Sequence, residues 1–319
     1  MSGPLMSGPV VTLGETMALV LPAELGSLET VSSLRLGVGG AESNVAIGLA
    51  RLGTAVSWLG RVGDDALGRR IVRELRAEGV EVRAIVDPAA TGLMVKERRT
   101  PDATRVLYYR AGSAGSRLSV ADLAELDIAG AALLHVTGIT AAISGSALTA
   151  LDVAVERAVA AGVPVSFDVN HRASLWGERD AGAVYRAIAA RASVVFAGLD
   201  EALLLAPDAR DAETAVRAIA ALGPREVIIK LGADGCLALI DGELLRVPAR
   251  AIRPVDTVGA GDAFVAGYLA ERHAGLSPRT RLETAVTAGA FACLHPGDWE
   301  GLPRRAELAL LDSPDPVTR

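Results

Sequence analysis

The segment Asp256-Thr257-Val258-Gly259-Ala260-Gly261-Asp262-Ala263-Phe264 runs straight into a helical pattern carrying Phe264, Val265, Tyr268 and Leu269. A glycine-rich helix start is an anion site. Glycines let the backbone close on a ligand, and the first free N–H groups point at it with the positive end of the helix dipole behind them. Phosphate suits that geometry. A carboxylate in the same turn repels anions, so Asp262 calls for another role, and a general base that takes the proton of an attacking hydroxyl fits phosphoryl transfer. The alternative is a plain helix-capping aspartate.

A second signal is Gly39-Gly40-Ala41-Glu42-Ser43-Asn44, where a diglycine opens a helix. It lets a polyhydroxylated ligand approach backbone amides, and Asn44 can both donate to and accept from hydroxyls. A nicotinamide-binding fingerprint would need glycine where Gly37-x-Gly39-x-x reaches Glu42, an anion in the place of a pyrophosphate. No Gly-x-x-x-x-Gly-Lys-[Ser/Thr] motif is present, so a P-loop is excluded.

These residues must be held by a framework, and the pattern predicts one. From Val10, short β-branched runs alternate with Ala-rich helical stretches, the signature of a parallel sheet covered on both faces. Val45, Leu49 and Leu52 fall at helical spacing up to Gly53; Val56 to Val62 reads as a strand; Leu67, Ile71 and Leu75 mark the next helix, ended by Gly79. Further strands are expected at Leu133–Thr137, Val163–Val169, Val194–Ala197 and Val227–Lys230, with Ala129 to Ile143 read as a buried strand and loop. Cys236–Ile240 and Leu244–Val247 flank Asp241-Gly242, a hairpin signal that ends the sheet in antiparallel strands. Gly92–Arg98 and Arg105–Arg110, divided by Thr100-Pro101-Asp102, read as a hairpin outside that sheet. Residues from about 19 to 36 could join it as a small lid over a cleft.

At 319 residues the chain can bury a full core, and no internal repeat or long linker divides it, so one domain over 1–319 is expected, with lid strands near 19–36 and 91–111. The net charge of −6 argues against a nucleic-acid partner, which would require a basic face. No apolar run approaches the ~20 residues of a membrane span. The start, MSGPLMSGPV, lacks the basic and apolar regions of a secretory signal, and a cytoplasmic protein is expected. Cys236 and Cys293 read as reduced packing thiols, and the histidines at 135, 171, 273 and 295 have no zinc-site spacing. Exposed lid edges favour pairing with a second subunit, so a homodimer or higher homo-oligomer is expected.

GGAESNVAIGLARLG near the start and DTVGAGDAF near the end, in that order, resemble the ribokinase-like (PfkB) carbohydrate kinase family over nearly the whole chain. The resemblance implies a three-layer α/β/α core with a mostly parallel central sheet and a small β-sheet lid. Sugar would bind under the lid and ATP in a nearby groove, with Mg2+ on the phosphates. It implies that Gly259, Ala260 and Gly261 form the anion hole and that Asp262 is the catalytic base. Gly39, Gly40 and Asn44 would bind sugar, and Lys230, Gly232 and Gly235, a Lys-x-Gly-x-x-Gly loop, would border the nucleotide together with Ala288. Glu201 would order water on the metal, although Gly198 stands where the family carries asparagine in Asn-x-x-Glu.

Within the family the chain is most similar to 2-keto-3-deoxygluconate kinases, through Tyr108-Tyr109-Arg110-Ala111-Gly112-Ser113-Ala114, Asp168-Val169-Asn170-His171-Arg172 and Gly297-Asp298-Trp299-Glu300-Gly301-Leu302-Pro303. The expected acceptor is therefore a sugar acid, phosphorylated on its terminal hydroxyl. Arginine suits a carboxylate, and Arg110 and Arg172 are the candidates. Tyr108 and Arg110, two apart on a strand, share one face and could both enter the cleft. Met94 stands where these kinases often place a tyrosine, which leaves 2-keto-3-deoxygalactonate open as an acceptor. Kinases of neutral sugars or nucleosides, and a non-catalytic sugar-binding protein, are the competing readings.

Overall fold

A computed structural model describes residues 8–100 and 103–312; the stretch before Gly8 and the Pro101-Asp102 turn, both read above, lie outside the described residues. In chain order the strands are β1 (Val10–Leu13), β2 (Met17–Pro22), β3 (Leu34–Gly39), β4 (Val56–Gly63), β5 (Glu81–Asp87), β6 (Leu93–Thr100) and β7 (Ala103–Tyr109). They continue with β8 (Leu133–Thr137), β9 (Val165–Asp168), β10 (Val194–Gly198), β11 (Glu226–Lys230), β12 (Cys236–Ile240) and β13 (Glu243–Val247). Nine of them form one sheet in the order β13-β12-β11-β10-β9-β8-β1-β4-β5. Pairing is parallel from β5 through β11 and antiparallel at β11–β12 and β12–β13. The expected hairpin is present, with Asp241 and Gly242 both at positive φ (49° and 88°), as a two-residue I′ turn requires.

Helices cover both faces. One apolar cluster joins Leu134, Val136, Phe167 and Val195 to the helices Gly145–Ala160, Ala181–Ala189 and Ala212–Ala220. The other joins Trp58, Phe196 and Ile228 to Ala41–Arg51, Ala66–Ala77, Ala260–His273 and Pro278–Ala292. Small residues set how closely these helices approach. A Cβ on Gly48 would lie 2.6 Å from that of Ala266, so the helices Ala41–Arg51 and Ala260–His273 touch almost backbone to backbone. One turn earlier on each, along the same face, stand Asn44 and Asp262.

Two expectations change. Residues 138–143, read as loop, form the helix Gly138–Ile143, started by Thr137, whose Oγ1 accepts from the Ile139 N–H. β5 is an additional edge strand, and its charged, half-exposed sequence carries little strand signal. The lid is a separate sheet in the order β3-β2-β6-β7, with β2 parallel to β6 and the other pairs antiparallel.

Candidate active site

The site lies where the parallel strands end, the usual place for a ligand in an open α/β sheet. β8, β9, β10 and β11 end at Thr137, Asp168, Gly198 and Lys230, and the helix Ala260–His273 begins beside them. Gly259 precedes that helix at φ 76°, and the Ala263 N–H is bonded to the Gly259 carbonyl (2.9 Å). The N–H groups of Gly261 and Asp262 therefore fall in the first turn, where no intrahelical acceptor exists.

No side chain caps this helix. The Asp262 carboxylate turns instead toward two amides, accepting from Asn44 Nδ2 at 2.8 Å and from Asn170 Nδ2 at 3.2 Å. That geometry disposes of the capping alternative. Asn170 comes from the β9 exit and adopts φ 36°, a left-handed conformation that asparagine tolerates better than most residues.

Burial pushes the Asp262 carboxyl up to about 7; the Asn44 hydrogen bond opposes the shift, the Asp168 charge adds to it, and the Lys230 and Arg172 charges oppose it. A buried base with a pKa near the working pH is suited to accept a proton. If Asp262 is the base, its ionised form is the active one, so kcat/KM for the acceptor should fall about tenfold per pH unit below pH ~7. A profile that stays level down to pH 5 would contradict this.

Lys230 Nζ is 2.8 Å from Asp168 Oδ1 and 3.5 Å from where a Cβ on Gly261 would sit, so a cation stands next to the glycine turn. Burial lowers the Lys230 pKa, but the Asp168 and Glu201 carboxylates outweigh it and hold the ammonium charged. Glu201 accepts from the backbone N–H of Gly198 (2.6 Å) and of His171 (2.8 Å), pinning the β10 exit to the loop after β9. Because the donor at Gly198 is the main chain, glycine in place of asparagine does not prevent that pinning.

Two cavities meet at the turn. One, of about 510 Å³, is lined by Lys230, Gly232, Gly235, Ala260 and Gly261 and walled by apolar side chains that include Ile252, Phe264 and Val286. Gly289 and Ala290 line it. Ala288, expected there, points into the core and is 1% exposed. Of the two free thiols, Cys236 is buried and Cys293 borders this groove.

The second cavity, about 90 Å³, lies under the lid and brings together Gly40, Asn44, Met94, Tyr108, Arg110, Arg172, Gly259 and Asp262. Met94 pairs with Tyr108 across β6 and β7, and the Arg110 guanidinium lies 5.6 Å from the Tyr108 ring. Gly39 is next to this cavity, where a Cβ would strike Asp298 Oδ2 (2.2 Å) and Met94 Cε (2.6 Å).

Four further residues belong to the site: Glu15 and Lys96, which the sequence reading passed over, and Asn170 and Asp298, which it quoted within motifs but gave no role. Glu15 accepts from Arg110 Nε (2.7 Å) and Nη2 (2.5 Å) and from Ser113 Oγ (2.6 Å). Glu15 thus holds Arg110 by its Nε and Nη2 side, and Nη1 has no partner among the described residues. Lys96 and Asp298 form a buried ion pair at 2.6 Å. Arg172 is exposed at the cavity edge, where its Nη1 donates to the adjacent His171 carbonyl (3.1 Å).

A family model for pfkB family carbohydrate kinases matches residues 8–305. The chain belongs to that family. It is 38% identical over 305 residues to a 2-dehydro-3-deoxygluconokinase of Bacillus subtilis, covering 94% of each chain. It is 34% identical to a 2-dehydro-3-deoxygalactonokinase of Haloferax volcanii, covering 89% of each. A solved PfkB protein from Polaromonas superposes with a TM-score of 0.85 at 35% identity, covering 95% of this chain and 99% of that one. The fold is the ribokinase-like one, and the protein is a carbohydrate kinase. Among the described residues no helix is long and apolar enough to cross a membrane.

Proposed function

We propose that this PfkB kinase transfers the γ-phosphoryl group of ATP to the terminal hydroxyl of 2-keto-3-deoxygluconate, giving the 6-phosphate and ADP. The observation that carries the reading is one small cavity holding a buried base, Asp262, together with Arg110, whose Nη1 end is open to a ligand carboxylate. Glu15 holds the Nε and Nη2 side of that guanidinium and fixes its orientation. The similarity to 2-dehydro-3-deoxygluconokinases supports the same acceptor.

In this mechanism the terminal oxygen attacks the γ-phosphorus as the bond to the β,γ-bridging oxygen breaks, and the hydroxyl proton passes to Asp262. The N–H groups of the Gly259–Asp262 turn and the Lys230 ammonium face the charge on the transferring group. Gly232 and Gly235 border the rest of the nucleotide.

Magnesium, when bound with ATP, would neutralise phosphate charge. Magnesium in nucleotide-dependent enzymes is held mainly by phosphate oxygens and water, with one or two carboxylates. Asp168 Oδ2, buried and without a hydrogen-bond partner among the described residues, and Glu201 are the carboxylates that would hold its waters. Exposed Leu34, Leu36 and Tyr109 on the lid fit a homo-oligomer.

The deciding experiment is ATP consumption across 2-keto-3-deoxy acids, hexoses, pentoses and nucleosides; a hexose or nucleoside used better than any sugar acid would overturn the proposal. The similarity to the Haloferax 2-dehydro-3-deoxygalactonokinase keeps 2-keto-3-deoxygalactonate in the panel as a second acceptor. Arg110→Ala should lower kcat/KM for the sugar acid by ~10²-fold or more. The truncation also leaves Glu15 unpaired, so the informative comparison is between substrates within the variant. Equal losses for a sugar acid and a neutral hexose would remove Arg110 from acid recognition.

A further inference from the structure

Lys96 sits on β6 of the lid with its side chain 3% exposed, and its ammonium bonds Asp298 Oδ1. Asp298 touches both glycine-rich turns of the site: its carbonyl oxygen would lie 1.9 Å from a Cβ on Gly259, and its Oδ2 2.2 Å from one on Gly39. The main chain of its loop is already fixed from behind. Arg51 Nη1 donates to the carbonyls of Trp299, Glu300 and Leu302, Trp299 Nε1 donates to the Val38 carbonyl, and Glu300 Oε2 accepts from the N–H groups of Asp298 and Trp299. What remains to be balanced is the Asp298 charge, and its partner comes from the lid.

That charge shares the small cavity with Asp262. A second unpaired carboxylate in the cavity that the Gly259 turn lines would repel a phosphoryl group entering it, and an uncompensated buried charge is costly in any case. Of the other cations lining the cavity, Arg110 is paired with Glu15 and Arg172 lies at the edge, so neither is paired with Asp298. We propose that Lys96 is a positioning residue that completes the anion hole through Asp298, so that the hole is matched to phosphate only while the lid covers the sugar. Lid closure would then gate phosphoryl transfer by charge as well as by excluding water.

The proposal rests on the Gly259–Gly261 turn being the anion hole, and its test runs on the full chain with whichever acceptor the wild type uses best. Lys96→Met should lower kcat by ~10–100-fold. KM for the sugar should move less than kcat, and Lys96→Arg should restore most of the turnover. Should Lys96→Met fail to fold, the Lys96→Met/Asp298→Asn double variant, which buries no lone charge, is compared with Asp298→Asn. Matching kcat values are expected, because Lys96 acts only through the Asp298 charge, and a further tenfold loss in the double variant would overturn the proposal. So would wild-type kcat in Lys96→Met. Gly259→Ala assayed alongside separates the two readings: an impaired Gly259→Ala beside a fully active Lys96→Met removes the Lys96 link alone, whereas a folded and fully active Gly259→Ala removes the anion hole on which the link rests.

Discussion

Asp262→Asn is expected to lower kcat by ~10²–10⁴-fold, the range of a lost general base. Asparagine keeps the shape of the side chain, so ATP and sugar should still bind with KM values near those of the wild type. Near-normal turnover would remove Asp262 from the base role. A second measurement separates the missing base from a disturbed fold. Asparagine offers one oxygen where the carboxylate offered two, so either the Asn44 or the Asn170 amide loses its acceptor. Against that loss stands the cost of a buried carboxylate. Burial raises the Asp262 pKa in the folded chain from 3.8 to about 7, so its contribution to stability is fully present below the unfolded value near 4 and is lost as pH rises through about 7. Asparagine does not titrate. The difference in Tm between variant and wild type should therefore shift in favour of the variant between pH 4 and 7 and level off above. A difference independent of pH would mean that Asp262 is not a buried acid of raised pKa.

The base was legible in the sequence because everything that defines it locally is contiguous. The glycine turn, the acid and the helix lie within nine residues, and Asn44 belongs to a second compact segment. The partners that tune the site were not legible for the opposite reason. Glu15 meets Arg110 across 95 residues, Asn170 meets Asp262 across 92 and Lys96 meets Asp298 across 202. Each contact exists only because separate strands and loops end at the same place.

The framework divides in the same way. The buried parallel strands announce themselves as apolar runs between Ala-rich helices, and the β12–β13 hairpin carries its turn in Asp241-Gly242. β5 does not: on the sheet edge it mixes exposed charged residues with half-buried ones, a pattern shared with loops. The parallel pairing of β2 with β6 joins strands some seventy residues apart with no local turn to signal it. Ala288 was displaced by one position for a similar reason, since helical phase, and not composition, decides that Gly289 faces the groove while Ala288 faces the core.

Gly259→Ala is expected to be the most damaging conservative change outside Asp262. Two costs coincide there. At φ 76° an alanine is held in the left-handed region, at roughly 1–2 kcal/mol. Its Cβ would also be placed 1.9 Å from the Asp298 carbonyl oxygen, a main-chain atom that cannot rotate away. The turn or the 297–303 loop must shift, and a displacement of about 1 Å in a positioned group can cost ~10²-fold in rate. Gly53→Ala provides the control. It has φ 85° but nothing within 4 Å of the added methyl, so it carries the backbone strain without the collision. Both variants should lose stability in thermal unfolding, Gly259→Ala more than Gly53→Ala. Only Gly259→Ala should lose kcat, by ~10²-fold or more. If a folded Gly259→Ala enzyme turns over at the rate of Gly53→Ala, the N–H groups of this turn do not hold the transferring phosphoryl group.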